Sequence, residues 1–251
     1  MLLLHPTFFV GGCQKNRALA LGYNEMNMGH RRKTRGDPEQ SFGLLPREFR
    51  TLKRLRTPER IQGFLDALPI NHEAQGETYR SPRRVLRDRT AHCFEGALFA
   101  AAALLVNGER PLLLDLKVDE RSPDVDHVVT LFRRGPYWGA ISKTNHAVLR
   151  YREPVYRSVR ELAMSYFHEY FLDNGRKTLR SYSRPFDLLP YVKRGWLTDE
   201  RDLHWLVDTL DNSPHIRILP RGAERRLRRA DTIERATGKI VEWSKTGKRI
   251  Y

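Results

Sequence analysis

Cysteine is scarce in this 251-residue sequence: there are two, Cys13 and Cys93, far apart and in unlike surroundings. That excludes a disulfide-framed scaffold, and a reducing compartment follows as the default. No CxxC and no HExxH are present. A zinc site built from Cys93, His127 and a further histidine therefore lacks the close ligand pair that would anchor it, and no metal or cofactor is expected. No apolar run approaches the length that crosses a bilayer. The opening MLLLHPTFFVGGC has no positive charge ahead of its apolar residues and no clear cleavage pattern, which argues against a secretory signal. A soluble, cytoplasmic chain with no membrane partner is the expectation. Internal repeats and low-complexity tracts are also missing.

Acidic residues are the scarcer charge, 30 against 45 Lys and Arg, for a net +15. The imbalance is not uniform. Residues 1–90 carry 17 basic and 9 acidic side chains, residues 91–216 carry 17 of each, and residues 217–251 carry 11 and 4. Basic flanks around a balanced centre can hold phosphate groups without reading sequence, so non-specific polyanion contact through the termini is one expected interaction. A helix-turn-helix signature, an RNP-type run and a zinc finger are all lacking, and the aromatics do not interleave with the basic clusters. Apolar residues make up 40%, enough for a substantial core.

The division expected is a flexible or loosely packed basic extension over 1–44, with the cluster HRRKTR; a domain over 45–216; and a basic tail over 217–251. Thr57-Pro58-Glu59 is a helix entrance, with Ile61, Phe64, Leu65 and Leu68 on one face and Pro69 as the stop. A polar loop, NHEAQGETYRSPRR, follows. Thr90–Leu105, TAHCFEGALFAAAALL, is apolar nearly all round and reads as a buried helix beginning at Cys93 and stopped by Asn107-Gly108. Strands are expected at 111–118, 127–132 and 137–142, the last two joined by a turn over 133–136. Amphipathic helices follow at 158–172 and from Thr198 to Leu210. The stretch 221–236 reads as a surface helix and 237–251 as a short hairpin. The fold class is α+β: a buried nucleophile helix packed on a small antiparallel sheet, with additional helices N- and C-terminal.

Cys93 is the informative residue. A helix start presents free N–H groups and the positive end of the dipole, which lower a thiol pKa. Such a thiol needs a base, and the base needs an orienting partner. His127, at the start of the second strand, is the base that this order returns to the thiol. If a four-residue turn closes the hairpin, Phe132 faces Tyr137 and His127 faces Ser142, on one side of the sheet. Asn145, three residues on, is the stronger acceptor for an imidazole N–H. Both Ser142 and Asn145 stand as candidates for the third position. His92 reads as a local hydrogen-bonding group, Glu95 as a first-turn acid, Trp138 as packing and Cys13 as a bystander.

HCFEGALFAAAALLVNGERPLLLDL, then DHVVTLF, then YWGAIS, resembles the transglutaminase-like superfamily, which shares a papain-like cysteine-peptidase core. The resemblance covers about residues 79–145. It rests on a cysteine opening a buried helix rich in small residues, a strand, a histidine opening the next strand, and a tryptophan after the turn. Cys93, His127 and Trp138 fill these places. Ser142 stands where the family has an aspartate. The resemblance implies a thiol hydrolase or acyltransferase acting on peptide or protein amides through an acyl-thioester. The Cys93 backbone N–H would be one oxyanion donor, with Tyr79 or His92 as candidate side-chain donors. The serine also admits a second reading, an inactive relative serving as a binding module. A basic nucleic-acid-associated protein is the third.

Overall fold

The structure, a computed structural model, describes residues 42–250; Cys13, the HRRKTR cluster and nearly all of the 1–44 extension lie outside the described residues. Proline sets the N-terminal helix starts. α1 (Pro46–Arg54), α2 (Pro58–Asp66) and α3 (Pro82–Asp88) each open on one, where the missing N–H is no loss. The hydroxyls of Thr57 and Ser81 accept from Arg60 N and Arg84 N, both at 3.4 Å. Ser81 and Pro82 thus begin a helix inside the stretch read from sequence as loop. α4 (Cys93–Val106) is buried from Phe94 to Val106. It ends where the Asn107 side chain donates to the carbonyls of Leu52, Leu55 and Ala103, at 3.1, 3.1 and 2.9 Å.

Seven strands form one antiparallel sheet: β1 (Leu112–Val118), β2 (His127–Arg134), β3 (Tyr137–Ile141), β4 (Arg152–Tyr156), β5 (Leu179–Ser183), β6 (Phe186–Asp187) and β7 (His215–Arg217). Their order is β4-β3-β2-β1-β5-β7, with β6 also paired to β1. β1 is central, and both its faces are covered. Leu113 joins the core around α4, while Leu114 and Leu116 face the opposite side, against α5 (Val159–Tyr166). That is why Leu113 breaks the alternation. The fold is α+β with the cysteine helix packed on an antiparallel sheet.

The β2–β3 hairpin corrects one expectation. Its turn is the two residues Gly135-Pro136, not four, because Arg134 pairs with Tyr137 and Arg133 with Trp138. Extending this register by one pair sets Ser142 opposite Val129 rather than His127. The shift is two residues, so the faces are unchanged and Ser142 stays diagonal to His127 on the same side.

Residues 217–250 dock on the sheet and its loops. β7 extends the sheet beside β5, Ala230 N donates to Gly175 O at 2.8 Å, and Glu242 N to Asn145 O at 2.8 Å. In place of one long surface helix there are a 3₁₀ turn (Ala223–Arg226) and α7 (Thr232–Gly238), and the expected terminal hairpin is the single bridge Trp243–Arg249. α6 (His204–Asp211) supplies the remaining α-helix of the described C-terminal half. No helix among the described residues is long and apolar enough to cross a membrane.

Candidate active site

Cys93 is the first residue of α4, and His92 is its cap. The local sequence fixes this start. Glu95, three residues on, is fully buried and accepts from His92 N at 3.1 Å. The same carboxylate accepts from Thr78 Oγ1 at 2.8 Å, Arg80 N at 3.2 Å and Asn71 Nδ2 at 3.2 Å. Arg80 Nε adds an ion pair at 3.7 Å. A buried charge with this many donors is satisfied, and it ties the 71–80 loop to the start of the helix.

Two imidazoles act on the thiol. Burial alone would push the Cys93 thiol up; hydrogen bonds and charge from His127 and His92 outweigh it and bring it down to about 5. His92 Nδ1 lies 4.0 Å from Sγ, and its Nε2 donates to Thr78 O at 2.7 Å. Burial lowers the basicity of this ring, but Cys93, Glu95 and the Thr78 carbonyl raise it to about 9. His92 is therefore held as a cation beside the thiolate.

His127, 5% exposed, opens β2 and turns Nε2 toward Ser142 Oγ at 2.8 Å. The direction of that bond follows from the next one. Ser142 Oγ donates its only proton to Leu149 O at 2.6 Å, so it accepts from His127 Nε2–H. Nδ1 is then the ring nitrogen left to exchange a proton with the thiol. Leu149 is held at φ 61°, a left-handed conformation uncommon for a bulky side chain. Its N–H donates to Glu169 Oε2 at 2.7 Å, and Arg152 pairs with that carboxylate at 2.6 Å. Gln62 fixes the other side. Its amide accepts from Ser142 N at 3.0 Å and donates to Ser142 O at 2.8 Å.

Of the four candidate residues, three converge: Cys93, His127 and Ser142. Asn145 does not join them. Its side chain donates to Trp243 O at 3.0 Å and accepts from Trp243 N at 2.7 Å, so both ends of the amide are occupied by the C-terminal segment. His92, read from sequence as a local group, is part of the site. Its position at the cap, directly before the cysteine and three residues before a buried acid, was the signal. Gln62 and Leu149 had none, since each acts through long-range contact.

A cleft of about 570 Å³ opens over the thiol, and Cys93, His92, Tyr79 and Phe94 line it. The Tyr79 hydroxyl donates to Glu77 Oε2 at 3.1 Å and is pushed up to about 12, first by burial and then by Glu77. It stays protonated, with its one proton committed to Glu77. The free N–H groups of the first turn of α4 are the donors that face this cleft. The chain matches no family model, and no curated protein matches its sequence.

Proposed function

We propose that the protein is a thiol hydrolase or acyltransferase of transglutaminase-like organisation, acting on peptide amide bonds through Cys93, His127 and Ser142. The observation that carries this reading is the thiol brought down to about 5 on the first turn of a buried helix, beside an imidazole whose far nitrogen is held by Ser142 at 2.8 Å. A depressed thiol with an oriented base in a cleft is the arrangement that covalent acyl transfer requires.

The Cys93 thiolate attacks the amide carbonyl carbon. The C–S bond forms, and the carbonyl electron pair moves to oxygen, where the Cys93 N–H at the helix start donates. His127 gives the proton on Nδ1 to the leaving nitrogen as the C–N bond breaks, leaving a thioester. Water or an amine then attacks, Nδ1 takes its proton, and the C–S bond breaks to restore the thiolate. Ser142 holds the ring through Nε2 in both half-reactions. A neutral hydroxyl supplies orientation without the full charge of a carboxylate. On this reading the acyl-enzyme forms more slowly than it would with aspartate at 142.

The test is the iodoacetamide alkylation rate of Cys93 at pH 6, followed by mass spectrometry with Cys13 as the control in the same tube. Cys93 should react much faster, and His127→Ala should remove the advantage. An accessible Cys93 that titrates as an ordinary thiol, or one inert until the protein unfolds, sinks the reading and leaves the inactive binding module.

A further inference from the structure

Carboxylates outnumber lysines eight to one among the side chains lining the cleft over Cys93, in a protein of net charge +15. Asp115, Asp126 and Asp211 bring one oxygen each within 4.8 Å of the others. Asp115 is 1% exposed and lines the cleft. Its Oδ2 accepts from His215 Nε2 at 3.1 Å, but its Oδ1 has no hydrogen-bond partner. Leaving a buried carboxylate oxygen unpaired is costly, so this atom is short of a donor. Lys117 does not fill the place, because its ammonium donates to the Asp211 backbone carbonyl at 3.1 Å and stands 3.6 Å from Asp211 Oδ1. Burial and repulsion from Asp115 and Asp211 raise Asp126 to about 6, the sign of a cluster short of positive charge.

The rest of the wall distinguishes the cation. Phe94, Val118, Val128, Val207 and Leu210 line the same cleft. A hard metal ion gathers oxygens on all sides and would leave this surface unused. A long alkyl stem with a charged head uses both parts.

We propose that the cleft recognises a peptide substrate by an arginine or lysine side chain, its stem along the apolar wall and its cationic head on Asp115, Asp126 and Asp211, while an amide carbonyl of that peptide meets Cys93. The proposal rests on the thiol-nucleophile reading above. The basic side chain is a recognition element and not the attacking amine, because carboxylates hold an ammonium protonated and a protonated amine has no lone pair to attack with.

The experiment compares alkylation of Cys93 in the full chain by acetyl-arginyl, acetyl-lysyl and acetyl-norleucyl chloromethyl ketones, with iodoacetamide as the measure of thiol reactivity. The ratio of basic to norleucyl rate is read within each protein, with Cys13 correcting for reagent chemistry. We expect a preference of about tenfold, the scale of one well-made charge pair in a desolvated site. It should shrink at about 1 M salt. It should also collapse toward unity in Asp126→Asn and Asp211→Asn; the former keeps an oxygen for the bond that Asp126 accepts from Val118 N at 2.8 Å. Fast iodoacetamide reaction with equal chloromethyl ketone rates overturns this proposal and leaves the thiolate reading standing. A Cys93 inert to every reagent overturns the thiolate reading instead. The pocket is then judged by calorimetric titration with acetyl-arginine amide against acetyl-norleucine amide, where equal binding overturns it. Calcium that raises the melting temperature of the wild type but not of Asp126→Asn, with no basic preference, would make the cluster a metal site and overturn the proposal.

Discussion

At Cys93 the protonation balance is set by two rings that differ in what holds them. His127 is tied to a hydroxyl, whereas His92 is tied to a carbonyl and lies near the buried Glu95 carboxylate. With the thiol near 5 and His92 near 9, the thiolate beside an imidazolium is the populated form between those values. Below about 5 the sulfur gains a proton and its reactivity falls; above about 9 His92 loses its charge and one source of the depression disappears. Replacing His92 by Ala removes a hydrogen bond and a charge that lower the thiol, so the midpoint of the alkylation profile should move up by about one unit or more. A profile unchanged in His92→Ala would assign the whole depression to His127 and the helix start. The hydroxyl at 142 is tested separately. Ser142→Ala removes one net hydrogen bond of about 1 kcal/mol from His127, roughly a fivefold loss in the rate of acyl-enzyme formation. Ser142→Asp gives Nε2–H a charged acceptor but cannot donate to Leu149 O. A faster acylation in that variant would mean that charge, rather than the relay through the strained Leu149, is the limiting feature.

Among the elements, the cysteine helix has to come close to the chain just past the end of β3, where Ser142 and Lys143 lie, and Gly96 is what permits it. Lys143, 1% exposed, runs past this glycine and donates to the carbonyls of Leu65 and Leu68 at the end of α2. A methyl group at 96 would sit 2.4 Å from Lys143 Cβ and 2.9 Å from its Cγ, near the root of the side chain, where little can give. Gly96→Ala should therefore destabilise by about 1–3 kcal/mol despite alanine's better helix propensity, and differential scanning calorimetry reads it. A neutral or raised melting temperature would mean the helix and strand can part at small cost. The same junction shows what the sequence could reveal. The buried helix, its first residue and the three following strands were legible, because an unbroken apolar run, a capping pattern and β-branched alternation are local signals. The hairpin register was misplaced by two residues, yet Ser142 still lies on the same side of the sheet as His127, because a shift of two keeps every side chain on its face. Lys143 at the end of α2 and Gln62 on Ser142 were not legible, since partners about 80 residues apart leave no local pattern. β4, β5, β6 and β7 escaped for the same reason, being short and defined mainly by what they pair with.

At the scale of the whole molecule, the basic C-terminal segment meets the neighbourhood of residues 142–149, and Asn145 is the joint. Its amide takes both backbone groups of Trp243, while Arg249 and Arg150 pair with Glu242 at 2.5 and 3.1 Å. Arginines are thereby committed to internal carboxylates at this end. The net positive charge of the flank is therefore not all available for phosphate. Asn145→Ala breaks two hydrogen bonds to the backbone of the buried Trp243 and should cost about 1–3 kcal/mol. The C-terminal segment should open first, seen as faster amide exchange at Trp243 and Glu242. The alkylation rate of Cys93 at pH 6 should stay at the wild-type level, because the bond from His127 to Ser142 does not pass through Asn145. A large loss of Cys93 reactivity with the C-terminal segment still protected from exchange would reverse the assignment. It would make Asn145 the group that orients His127 in the working enzyme, and Ser142 a packing hydroxyl.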